Sequence, residues 1–181
     1  MDRETAWKLI TSSVSNQNLI KHMLATEACL RALARRLGQD EEKWGLAGLV
    51  HDLDYEQTKD DPTSHAMVAA QLLANHNVDP EVVQAVKAHS GNVPAVSLLD
   101  KAIVAADPVT GLIVAAALMH PTKKLANVDT DFILRRFKDK RFAAGANREQ
   151  IQRCSELGLS LDEFITICLK AMQCIAGQLG L

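Results

Sequence analysis

Apolar residues recur every three or four positions through nearly all of this 181-residue chain, the spacing that lines one face of an α-helix. Leu19, Ile20, Met23, Leu24, Leu30, Leu33 and Leu37 make the clearest stripe, and Gly38 closes it. Aromatic residues amount to 4%, whereas strands favour aromatic and β-branched side chains. The chain therefore reads as all-α.

Polar punctuation divides it. A first helix is expected over 3–14, and Asn16 to Asn18 precede the second. Asp40 caps a third that runs to about His51. Residues 53–62, "LDYEQTKDDP", read as a loop, after which Thr63 or Ser64 caps a helix through about Ala74. Asp79-Pro80 opens another in cap-then-proline order, ending just after His89. The pattern from about Val96 to Met119 contains Pro108, which removes a backbone donor and is expected to kink or split the helix near Asp107. Shorter helices are expected over 130–137 and 148–157, the latter stopped by Gly158. Ser160 and Glu163 form a capping-box pattern before a final helix over 161–179, read as core or dimer surface rather than membrane contact. No repeat, low-complexity tract or linker intervenes, so residues 1–181 are expected to be one domain.

The 20 basic and 22 acidic residues give a net charge of −2, so no global field attracts a nucleic-acid polymer or anionic membrane. Any anionic substrate must be held by local charge or by metal. The opening Met1-Asp2-Arg3-Glu4 lacks signal-peptide character. The uncharged apolar stretch after Asp107 is shorter than the roughly 20 residues of a bilayer span. A cytoplasmic protein is expected. Cys29, Cys154, Cys168 and Cys174 show no CxxC spacing and read as reduced, buried thiols.

The segment "LAGLVHDLDYE", residues 46–56, ends a core-like helix in adjacent His51 and Asp52. A buried carboxylate demands a partner or a cation. His22 lies upstream beside the small residues Ala25, Thr26 and Cys29. Downstream, His65 begins one helix, His89 ends the next, and Asp107 precedes the proline. Singly, each histidine reads as a surface or hydrogen-bonded core residue, and Asp107 as an acceptor at a helix break. Together they use four of the six histidines. Four imidazoles and two carboxylates suit divalent Mn, Fe, Co, Ni or Zn.

The order H…HD…H…H…D resembles the HD-domain superfamily of metal-dependent phosphohydrolases. The resemblance rests on His22, "LVHDLDYE", "DPTSHAMVAAQLL", "VKAHSGN" and "AIVAADPVTGL" and covers about residues 18–118, leaving about 119–181 as a helical extension. It implies a single-domain helical bundle in which His22, His51, Asp52 and Asp107 are the defining ligands. His65 and His89 match the extra histidines of dinuclear members, in which the residue matching Asp52 bridges both ions and is catalytic. Two divalent ions are implied, with phosphoester hydrolysis of a small phosphorylated metabolite or nucleotide. Members that cleave cyclic dinucleotides usually read HDxGK, but Asp54 and Tyr55 stand at the glycine and lysine places here, and no GYP-type segment follows. The resemblance thus supplies a reaction class without a substrate. Two alternatives stay open: a di-iron oxygenase, as in HD-fold inositol- and phosphonate-oxidising members, or a non-enzymatic metal- or nucleotide-binding module.

A basic segment, "RRFKDKRFAAGANRE", residues 135–149, completes the candidates. A solvated basic face is its ordinary reading. Lys140 and Arg148 are the residues expected to hold substrate phosphate, with Asn147 as a helix cap. The expected partners are a small substrate and a second copy of the chain in a homodimer.

Overall fold

Short polar side chains accept the first-turn N–H groups of nearly every long helix, which fixes where each begins. In the computed structural model, which describes residues 1–181, Asp2 caps α1 (Arg3–Ser13), Asn16 caps α2 (Gln17–Leu37) and Asp40 caps α3 (Glu41–Val50). Asp79 caps α6 (Pro80–His89), and Ser97 caps α7 (Leu98–Met119) through a complete capping box with Asp100. Asp129, Asn147 and Ser160 cap α8 (Thr130–Lys138), α9 (Arg148–Gln152) and α10 (Leu161–Cys174). Three shorter pieces complete the chain: α4 (Tyr55–Thr58), α5 (Met67–Asn75) and α11 (Ala176–Leu179). There is no strand, and the fold is all-α as the sequence pattern indicates.

Several boundaries depart from the sequence expectation. The Thr63 and Ser64 hydroxyls donate to Asp61 at 2.6 and 2.5 Å rather than capping α5. That helix starts at Met67, after Ala66 in a left-handed conformation at φ 67°. The polar stretch 53–62 contains α4 rather than loop alone. Pro108 does not split α7, which stays α-helical throughout. Its neighbours Ala105, Ala106, Val109 and Leu112 are all fully buried, and that packing outweighs the roughly 3 kcal/mol that an interior proline costs. The capping box before α10 is half made, because Glu163 reaches Arg36 at 2.7 Å instead. The predicted 148–157 helix is α-helical to Gln152 and then a 3-10 turn, Arg153–Leu157. The last helix breaks at Ile175. Cys29, Cys154 and Cys168 are buried free thiols, whereas Cys174 is exposed.

The hydrophobic core gathers around α7, which touches α2, α3, α6, α8, α9 and α10. At 22 residues α7 is long and apolar enough to cross a membrane, and 67% of its most apolar window is buried inside the bundle. α2 and α3 pack most intimately. A Cβ on Gly48 would stand 2.8 Å from the backbone of Thr26 and Glu27, so glycine there lets two helix backbones approach. The same seam carries Glu27, buried and paired with Arg3 at 2.6 Å and Arg31 at 3.0 Å. This approach brings the middle of α2, with His22, against the end of α3, with His51.

Candidate metal centre

His51 is the C-cap of α3, and His89 is the last residue of α6. Carbonyls at a helix C-terminus lack intrahelical donors. Both rings use that surplus in the same way: His51 Nδ1 donates to Gly48 O at 2.8 Å, and His89 Nδ1 donates to Val86 O at 2.5 Å. His65, in the turn before α5, donates Nδ1–H to Asp54 Oδ1 at 3.0 Å. His22, on α2, meets Thr110 Oγ1 at 3.0 Å, and that hydroxyl donates to Asp107 O at 2.8 Å. Since the hydroxyl's one proton is used, it accepts from His22 Nδ1. All four rings therefore carry their proton on Nδ1 and turn Nε2 inward, the orientation that oxygens behind the ring impose on metal-binding histidines.

The inward atoms converge. The Nε2 atoms of His22 and His51 are 3.1 Å apart, as are those of His65 and His89. Asp52 lies between the pairs. Its Oδ2 is 3.5 Å from both His22 and His51, and its Oδ1 is 3.4 Å from His65 and 3.3 Å from His89. Asp107 Oδ1 is 3.0 Å from His22 and 3.9 Å from His51. Two imidazole lone pairs facing each other at 3.1 Å repel unless a cation separates them. Donors about 2.1 Å from one ion and at right angles around it are roughly 3 Å apart, so the donor set fits divalent metal. His22, His51 and Asp107 form one ligand group, and His51, Asp52 and His89 another.

The electrostatics of the cluster show the same demand for positive charge. Burial pushes His22 down, but its hydrogen bond and charge contact with Asp107 prevail and raise it. His89 follows, with Asp52 outweighing burial. His51 is pushed down to about 4 by burial, despite the charge of Asp52. Burial opposes ionisation of both carboxyls, yet the imidazoles hold Asp52 and Asp107 below their usual value. The two carboxylates thus favour positive charge on His22 and His89.

Asp54 is a functional candidate that sequence reasoning passed over. It is 2% exposed and accepts from His65, Ala66 N at 3.2 Å and Ala69 N at 2.8 Å. Those donors outweigh burial and hold its carboxyl low. It orients His65 and fastens the turn that precedes α5. Thr110 does the corresponding work for His22. Glu56 accepts from the backbone of Ser15 and Asn16, tying the start of α2 to the segment after Asp52. Its only sequence signal, and that of Asp54, was the acidic cluster following the His-Asp pair.

The basic segment behaves differently. Arg148 does not face the histidines: its guanidinium donates to the carbonyls of Phe137, Asp139, Phe142, Ala143 and Ala146. These bonds spend its donors on pinning the 139–146 loop, and Arg148 lines the same cavity as Lys140 rather than the mouth of the cluster. Lys140 lines a cavity of about 800 Å³ that contains none of the six converging residues. Gly145 and Ala146 border both that cavity and a groove at His22 and Asp107, so the loop stands between them. The open mouth of the cluster, about 400 Å³, is lined instead by Asn16, Asn18, Leu19 and Tyr55. Tyr55 packs edge-on against His65 with ring centres 5.4 Å apart.

The HD domain model matches residues 19–112. Ribonuclease Y of Sulfurovum sp. is 29% identical over 136 residues, 74% of this chain and 27% of that protein. Ribonuclease Y of Desulfotalea psychrophila is 30% identical over 74% of this chain and 26% of its own length. In Lactobacillus helveticus the protein of that name is 32% identical over 52% of the chain and 17% of the relative. The chain thus spans about a quarter or less of these relatives. No solved structure matches it. A family match over half the chain, falling on helices that draw His22, His51, Asp52 and Asp107 together, leads to one assignment: this chain belongs to the HD domain family of metal-dependent phosphohydrolases.

Proposed function

We propose that this protein hydrolyses a small phosphorylated metabolite or nucleotide with two divalent ions bridged by Asp52. The observation that carries the reading is the division of Asp52: one oxygen faces the His22–His51 pair and the other faces the His65–His89 pair. His22, His51, Asp107 and Asp52 Oδ2 would hold one ion; His65, His89 and Asp52 Oδ1 would hold the other. When bound, such ions supply Lewis acidity toward phosphoryl oxygens and lower the pKa of water. The chain's own residues fix the geometry. Buried His51 and His89 close the back of the site against solvent, and Asp54, Thr110 and the two helix-end carbonyls hold the rings in register.

Small substrates are favoured over polymers. No lysine or arginine lines the mouth, and a nucleic-acid backbone is ordinarily held by several. The relatives named Ribonuclease Y nevertheless make an RNA phosphodiester the second substrate to test. The test is a panel of phosphomonoesters, dinucleotides and short RNA, run with metal-stripped protein reloaded anaerobically with Mn or Zn. Turnover of a small ester by a redox-silent ion is expected. The reading fails if every ester survives with every metal, and an iron-loaded sample consuming dioxygen with an organic substrate would establish an oxygenase in its place.

A further inference from the structure

Gly111 occupies the middle of α7, where glycine is the least favourable residue after proline. No atom lies within 4 Å of the point where its Cβ would stand, so protein packing does not require glycine there. The open space belongs to two concavities. Gly111 borders the groove beside His22 and Asp107, and it also borders a cavity of about 410 Å³ between α2, α7 and the C-terminal turn. His22 lines both as well, so the two concavities share a wall beside the metal-centre candidates.

That cavity has the volume and character of a small-molecule site, mostly apolar with a few placed polar groups. α2 contributes Asn18, Lys21 and His22, residues that share a face by their spacing. Val114 and Leu179 supply apolar walls. Lys21 is half-buried, and its ammonium pairs with no carboxylate. Its Nζ overhangs Gly180, where a Cβ would meet it at 3.0 Å. A cation without a partner, one residue from a metal-ligand candidate, marks a place for negative charge.

We propose that this cavity receives the non-reacting part of the substrate. That part is an organic group of nucleoside size, reached from the metal centre across Gly111, and it carries a second anionic group that pairs with Lys21. The proposal rests on the phosphohydrolase reading and adds specificity to it.

The test compares wild type with Gly111→Ala, Gly111→Leu and Lys21→Met. The probes are adenosine 5′-monophosphate and adenosine 3′,5′-bisphosphate. KM is measured on the Mn-loaded chain, and binding to the metal-free chain is measured by calorimetry. Gly111→Ala should raise Tm by about 1–4 °C, which shows that the position tolerates a side chain. Gly111→Leu should keep its Tm and metal content yet bind both nucleotides about tenfold or more weakly. Lys21→Met should weaken the bisphosphate about tenfold and the monophosphate much less. The proposal is overturned if wild type binds neither nucleotide, or if either Gly111→Leu or Lys21→Met matches wild type in both measurements. Absence of turnover with variant-sensitive binding would instead retain the cavity and reject the hydrolase.

Discussion

Asp54 holds His65 from behind: its Oδ1 accepts the ring's Nδ1 proton at 3.0 Å, while its Oδ2 accepts from Ala69 N at 2.8 Å. One carboxylate thereby sets the ring's tautomer and the start of α5. Asp54→Asn should weaken metal at the His65–His89 pair about 10–100-fold and leave the His22–His51 pair loaded. Metal titration followed by elemental analysis checks this; equal loss from both pairs would contradict it.

Asp52→Asn keeps the shape of the side chain and removes its charge. Phosphoester turnover should fall to background and metal content should drop, while the helical circular dichroism spectrum persists. Wild-type turnover in this variant would remove Asp52 from the catalytic account.

Gly48→Ala tests the α2–α3 seam. The added Cβ would lie 2.8 Å from the backbone of Thr26 and Glu27, so the helices must separate, at about 1–3 kcal/mol. A lowered denaturation midpoint with weaker metal binding is expected, because the seam brings His22 to His51. An unchanged midpoint would show that the contact relaxes without cost.

Metal binding should release protons. The carboxylates of Asp107 and Asp52 outweigh burial and raise His22 and His89 above the ordinary imidazole range, so protonation of these rings competes with metal as the pH falls. His51, near 4, is already neutral and releases none. Calorimetry in slightly acidic buffers of different ionisation heat should detect net proton release on metal binding. Affinity should rise with pH and level off above the two raised values. Zero release across the acidic range would contradict the raised affinity of His22 and His89 for protons.

The convergence of the four histidines and two aspartates was legible because their chemistry is scarce: histidines and carboxylates at helix ends, in a fixed order, need few neighbours to be recognised. Helix starts were legible for the same reason, since Asp40, Asp79 and Asn147 cap as their side chains dictate. What escaped depended on three-dimensional company. Thr63 and Ser64 have the side chains of caps, but nearby Asp61 took both hydroxyls. Pro108 should have broken α7, but burial on both sides outweighed it. Arg148 looked free until the carbonyls of its own loop surrounded it, and Asp54 looked like one more loop acid until His65 folded over it.

Whether Asp52 joins two ions is read directly by anomalous X-ray scattering from crystals of the Mn-loaded protein. The account predicts two peaks flanking the Asp52 carboxylate. One should lie about 2.0–2.3 Å from His22, His51 and Asp107, and the other at that distance from His65 and His89. A single peak, or two peaks that leave Asp52 uncoordinated, would contradict it.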